Sequence, residues 1–361
     1  MLLYYKLDHL WRQRGQIDCL PSGQHDFLGG EIRMVRSMYA AIAGLKTHQS
    51  KMDVIGNNIS NCNTYGYKTS RATFQEALYT TSSHASGGTD SFGGRNASQV
   101  GYGCSLATVD KNFEGSTPAA TGRPNDVMII GEGFFLVGNK LPTGVTGVNP
   151  VKGATADGGG TGEQLDITSL QLTRVGAFTV DEDGYIVDRN GYVVYGFGYG
   201  DDVTYPLPEG TTVEDKNLVP LKVPEVESDG TGNGGLEGAE DGEVPAVTIS
   251  IDDYGNVSAA MPNGEVFSLG VIAVANVPNT GGLEMDNGSY YNIRNNTGTV
   301  RAYVPGDGNT GTLKASCLEM ANVDVANEFA EMITTQRGFQ ANTRIITVTD
   351  QMLEELVNMK R

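Results

Sequence analysis

The residue types that most often carry chemistry are sparse in this chain of 361 residues, and their spacing does not assemble a reaction centre. His9, His25, His48 and His84 fall in no HExxH or similar metal-binding spacing, and no GxSxG nucleophile elbow occurs. GxGxxG occurs twice, at residues 230–235 and 306–311. Neither copy follows a strand and opens a helix, as a pyrophosphate cradle requires, so both read as turns. Residues 181–184, "DEDG", present carboxylates to a cation but lack the twelve-residue calcium loop with its closing Glu, and a β-turn is the better reading. Cys19, Cys62, Cys104 and Cys317 form no CxxC pair, zinc spacing or disulfide framework, and read as small buried or half-buried residues. No catalytic, cofactor-binding or metal-ligating residue is assigned, no cofactor is expected, and an enzyme is not expected.

Composition narrows the class further. The length suffices for two or three domains. A net charge of -18, from 25 Lys+Arg against 43 Asp+Glu, argues against nucleic acid or an anionic membrane as partner. With 49 glycines and an ordinary aromatic share of 8%, turn-rich β structure is expected. The longest nearly apolar run, "FSLGVIAVANV", is far short of the roughly 20 residues that span a bilayer. The first twenty residues lack the apolar core and small-residue cleavage site of a secretory signal.

The elements that carry clear patterns stand at the two ends. Met38, Leu45, Met52 and Ile59 recur every seven residues, with Val35, Ala41, Ile42 and Ile55 widening the stripe, which predicts an amphipathic helix. Val325, Met332, Phe339, Ile346 and Leu353 form a second seven-residue row, joined by Phe329, Ile333, Ile345, Met352, Leu356 and Val357. Its companion row carries Gln336, Thr343 and Asp350, so a simple two-stranded zipper is not expected. Gly44, Gly56 and Gly338 interrupt these helices at about 1 kcal/mol each relative to alanine, which close approach of another backbone would explain. The first helix is expected to stop in "NCNTYGYK", with Gly66 supplying an unusual backbone angle before a first strand. Asn57, Asn58, Asn61 and Asn63 exceed what a helix end needs, and a lateral contact between identical subunits is the expected use of the surplus amides.

Between the helices the pattern is strand and turn. Residues 126–137, "DVMIIGEGFFLV", predict a hairpin around Gly131 and Gly133; residues 177–197 predict turns at Asp183-Gly184 and Asn190-Gly191; and a further meander starts at Val247. Residues near 139–165 and 207–245 are Gly/Thr-rich or acidic and read as mobile outer insertions. Residues 1–33 lack a sustained period. Gly29-Gly30-Glu31 must be encoded GGN-GGN-GAR, which with A at the free positions is a purine-rich ribosome-binding run just before Met34, so 1–33 are read as an upstream extension, misannotated or disordered. The expected organisation is α+β. Residues 34–67 and 319–361 form a discontinuous, coiled-coil-like helical domain for polymerisation, and residues 68–318 form a mainly β outer domain.

These stretches resemble the hook and rod axial proteins of the bacterial flagellum. "MYAAIAGLKTHQSKMDVIGNNISNCNTYGYK" is similar to that family's N-terminal signature, matching its pattern at Asn57, Asn58, Asn61, Thr64, Gly66 and Lys68. Residues 319–361 resemble its C-terminal signature, including Gln336, Arg337, Gly338 and Asn342. The resemblance implies a self-polymerising subunit, exported by the flagellar type III apparatus without a cleaved signal and located in an extracellular appendage. Its partners would be the rod, the hook cap and the hook-filament junction, with neither nucleic acid nor a membrane span. "DVIGNNISN", "GYKTSRATFQEALYTT" and the ending "QMLEELVNMKR" look more like hook members, which implies a curved tube acting as a universal joint; the alternative is the rigid distal rod. A secreted β-rich adhesin or glycan-binding protein is the alternative from another class, though it leaves the matched terminal helices unused.

Overall fold

The computed structural model describes residues 25–88, 93–141, 145–152, 163–198, 217–223, 248–260 and 266–359. Residues 1–24, with Cys19, and the GxGxxG copy at 230–235 lie outside the described residues. Two long helices stand near the ends, α1 (His25–Ser60) and α2 (Val325–Met359), with a largely β region between them. The fold is α+β. Helix α1 reaches upstream of Met34 to His25. The chain divides into two compact units, one of residues 1–55, 72–109 and 329–361, the other of residues 56–71 and 110–328.

In the first unit the helices approach each other in opposite directions. Lys51 Nζ pairs with Glu331 Oε2 at 2.9 Å, a Cβ added to Gly338 would lie 2.8 Å from the His48 ring, and one added to Gly44 would lie 2.6 Å from Asn342 Nδ2. Positions rise along α1 as they fall along α2, so the pair is antiparallel. Gly44 and Gly338 thus face the ends of the Asn342 and His48 side chains and not the backbone expected, and a shift of those side chains could admit a Cβ. Gly56 meets nothing within 4 Å among the described residues. Among the most buried helical positions are threonines: Thr47, Thr335 and Thr349 are 4%, 3% and 2% exposed. Each satisfies its hydroxyl within its own helix, donating to the carbonyl four residues back at 2.6, 2.7 and 2.6 Å. The polar companions Gln336, Thr343 and Asp350 face solvent. Two antiparallel ribbons complete the unit, Ser70–Glu76 with Cys104–Lys111 and Tyr79–Ser83 with Ser98–Gly101.

The second unit is built on the strand Phe134–Gly138, flanked by Gln171–Thr173 and Val193–Gly198, with Val274–Asn276 pairing to its first residues. All five of its residues are buried, as the apolar run FFLV requires of a strand covered on both faces. Alternation divides them: Phe135 and Val137 join a core with Phe178, Val194 and Ile272, while Phe134 and Leu136 join another with Leu172, Tyr195 and Tyr291.

The expected turns at 183–184 and 190–191 are present, with Gly184 and Gly191 both at φ 81° between antiparallel strands. The meander Thr248–Ile251, Asn256–Ala260, Val266–Ile272 is present as well, and residues 306–311 form a turn. The hairpin expected at 126–137 is not. Val127–Ile130 pairs with Thr312–Ala315, far along the chain, while Phe134–Gly138 enters the large sheet. Gly131 and Gly133, at φ 114° and 124°, pass the chain from one sheet to the other instead of reversing it. The stretches expected to be mobile insertions also contribute structure. Val145–Asn149 pairs in parallel with Glu163–Asp166, and Leu218, Leu221 and Val223 are at most 1% exposed. Three apolar residues within a polar tract carry that segment into the two cores.

Gly176 crosses Val127 so closely that a Cβ would lie 1.8 Å from the Val127 carbonyl oxygen, whereas Gly115 has nothing within 4 Å. Gly176→Ala is expected to lower stability by about 3 kcal/mol in urea denaturation, and Gly115→Ala to stay within about 0.5 kcal/mol of the parent.

Candidate functional site

The residues of the N-terminal signature converge where α1 ends. The chain leaves the helix through a turn: Asn61 N–H donates to the carbonyls of Asn57 and Asn58, and Thr64 N–H to that of Asn61. The Asn61 amide donates to Asn57 O at 2.9 Å and its oxygen accepts Thr64 Oγ1 at 3.2 Å, which satisfies carbonyls and hydroxyls that a helix end leaves open. Gly66 then adopts φ 69°, with Val175 so close that a Cβ would lie 2.8 Å from its Cγ2. A left-handed angle and a crowded site both require glycine here.

Asn58 is 1% exposed and uses all four positions of its amide. Nδ2 donates to Ser70 O at 2.9 Å and Glu328 Oε1 at 3.0 Å, while Oδ1 accepts Ser70 N–H and the Tyr67 hydroxyl, each at 3.0 Å. The side chain thus pairs with Ser70 as a neighbouring strand would, and fixes where the strand Ser70–Glu76 begins. Asn57 donates to the Tyr67 hydroxyl at 3.2 Å. Burial pushes the Tyr67 pKa up, so the phenol stays a neutral donor. The amides of Asn57, Asn58 and Asn61 are engaged within the chain, with Asn58 buried, while Asn57 and Asn63 remain exposed.

Lys68 is buried completely, as is Glu319, and the two pair at 2.7 Å. Lys68 Nζ also donates to Glu114 O at 2.7 Å. Arg174, 2% exposed, lies with Nη1 3.6 Å from Glu319 Oε2, an ion pair beyond hydrogen-bond reach, and with its guanidinium 5.1 Å from the Phe134 ring centroid. Its Nη2 donates to Gly131 O at 3.0 Å. Desolvation pulls the Lys68 pKa down and the Glu319 charge opposes it; Arg174 is shifted down by burial for the same reason. An ammonium sealed in this way positions the chain and reaches no substrate. Among the described residues no group of three or more His, Cys, Asp or Glu is placed to hold a metal ion.

Of the other expected residues, Gly338 and Asn342 lie in the helix contact, and Gln336 and Arg337 are exposed. Met38, Leu45, Met52, Met332, Phe339, Ile346 and Leu353 are half-buried in the first unit, Ile59 is half-buried in the second, and Val325 is 36% exposed. Other apolar residues of α2 are more exposed: Phe329, Ile333, Ile345, Val348 and Met352 range from 44% to 52%. Glu319, Arg174 and Asn322 escaped sequence reasoning. Their only signal was a charge inside an apolar or small-residue run, as in "LTRVGAF" and "SCLEM".

The long helices contact each other, and the junction beside them is made of buried contacts within the chain. Family models match at both ends, "Flagella basal body rod protein" over residues 38–68 and "Flagellar basal body rod FlgEFG protein C-terminal" over residues 314–359. A flagellar basal-body rod protein FlgG of Bacillus subtilis is 35% identical over 329 residues, covering 91% of this chain and 100% of the relative. A flagellar hook protein FlgE of Borreliella burgdorferi is 28% identical over 445 residues, with the same coverage of both chains. A flagellar hook protein FlgE of Caulobacter vibrioides is 44% identical over 113 residues, 31% of this chain and 19% of the relative. The chain belongs to the flagellar hook and basal-body rod family of axial structural proteins. No described helix is long and apolar enough to cross a membrane.

Asn58→Ala removes partners from Ser70, Tyr67 and Glu328 together and is expected to cost about 3 kcal/mol in urea denaturation. Asn58→Asp also loses both donors and places a carboxylate against Glu328, so it is expected to be destabilised at least as much at neutral pH.

Proposed function

We propose that this chain is the structural subunit of the flagellar hook, polymerising into a curved hollow tube that transmits motor torque to the filament as a universal joint. The observation that carries the polymer reading is the exposure of five large apolar residues on α2, Phe329, Ile333, Ile345, Val348 and Met352. A lone subunit leaves these side chains in water, and neighbouring copies would cover them. The hook assignment rests on the hook-like motifs and on the 44% identity with the Caulobacter hook relative over 113 residues. A second reading, the distal rod as a rigid driveshaft, is favoured by the full-length similarity to the Bacillus relative.

In this reading residues 34–67 and 319–361 form a coiled-coil-like inner polymerisation domain and residues 68–318 the outer domain. The subunit leaves the cell through the flagellar type III apparatus. It meets further copies of itself, the rod, the hook cap and the hook-filament junction. Immunogold microscopy with antibody against the β unit tests the assignment: label along the short curved segment outside the envelope is the expected result, and label confined to the rod of purified basal bodies would replace the hook by the rod.

Val348→Asp is expected to abolish polymerisation while leaving the circular dichroism of the monomer unchanged. Phe339→Asp is expected to block polymerisation too, with loss of helical signal and an intact β unit. Normal polymers from both variants would overturn the helix-packing assignment.

A further inference from the structure

Two segments of the second unit flank its strands, residues 56–71, which include the last turn of α1, and residues 317–328, which include the first turn of α2. They are bonded to each other at successive levels. Asn58 Nδ2 donates to Glu328 Oε1 at 3.0 Å, and Thr69 N–H donates to Asn322 Oδ1 at 2.8 Å. Gly66 N–H donates to Glu319 O at 2.8 Å, and Lys68 Nζ to the Glu319 carboxylate at 2.7 Å. The returning segment is tied in turn to residues 112–116, through Asn322 Nδ2 to Asn112 O at 2.9 Å and Ser116 Oγ to Ala321 O at 3.0 Å.

The charges make one segment conditional on the other. Lys68 and Arg174 bring two cations into a site from which solvent is excluded, and Glu319 is the carboxylate that faces both. Remove it, and the Lys68 ammonium retains a carbonyl of Glu114 and the Arg174 guanidinium a carbonyl of Gly131. Carbonyl dipoles do not offset the desolvation of two full charges. Docking of Lys68 therefore requires residue 319, which lies 251 positions further along the chain.

We propose that residues 56–71 and 317–328 form a single latched neck, in which the first segment holds its folded conformation only when the end of the chain has docked Glu319 between Lys68 and Arg174. The latch checks that the chain is complete: a subunit interrupted before residue 319 cannot seal Lys68, and its neck stays open. It also makes the two segments one mechanical element instead of two independent hinges. The inference rests on contacts within one unit and holds for either hook or rod.

Hydrogen exchange read by mass spectrometry on the full chain tests the latch through its reciprocity. Glu319→Gln is expected to speed exchange across residues 56–71 roughly tenfold or more, and Lys68→Met to do the same across residues 317–328, with the strands at 134–138 and 193–198 unchanged. Loosening confined to the segment that carries each substitution would overturn the latch. Should either variant unfold the β unit, Asn322→Ala, which lies outside the buried charges, serves in its place. Faster exchange at both Gly66 and residues 323–328 supports one neck, and a change limited to residues 320–324 and Thr69 refutes it.

Discussion

A buried ammonium needs a carboxylate, and the rest of this structure is arranged around meeting that need. Lys68 and Glu319 are wholly sealed from solvent, and each lies beside one of the long helices in sequence. Their pairing brings the two distant parts of the chain together at one place. Around it stand the ties made by Asn58, Gly66 and Asn322, each of which satisfies a group that burial would otherwise leave open. Breaking a buried pair by removing one partner costs far more than the pair itself contributes, so the junction acts as a specification of geometry more than as a source of stability.

The helix pair follows a different rule. Glycine at 44 and 338 faces Asn342 and His48, and the buried Thr47, Thr335 and Thr349 bond their hydroxyls within their own helix. Small residues bring the helices close and leave bulkier apolar residues half-buried beside the contact. The exposed apolar residues of α2 are surface beyond what this pairing covers. An axial protein needs both, a contact within the subunit and a face kept for its neighbours, and a helix of 35 residues has room for them on different sides.

The β unit shows how far local signals reach. The turns at Gly184 and Gly191 were legible because an Asp-Gly or Asn-Gly pair sets the backbone by itself. The same reasoning failed at Gly131 and Gly133, where positive φ angles serve a crossing between sheets. A glycine reports that an unusual angle is needed; the partner of the following strand decides whether the chain reverses. Residues 217–223 failed for a related reason, since a short apolar segment in a polar tract gives no period, yet Leu218 and Val223 fill space in cores formed by distant strands.

What the sequence by itself determined was the class of elements and their order: amphipathic helices at both ends, glycine-punctuated strands between, and no spacing that builds a reaction centre. These follow from periodicity and turn chemistry, which act over a few residues. The tertiary structure decided the partners. It made Asn58 a replacement strand edge, sealed Lys68 from solvent, and placed Glu319 and Arg174 beside it. Hydrogen-bond and charge partners 251 residues apart leave no local pattern, because burial gives those groups their meaning and burial is a property of the completed fold.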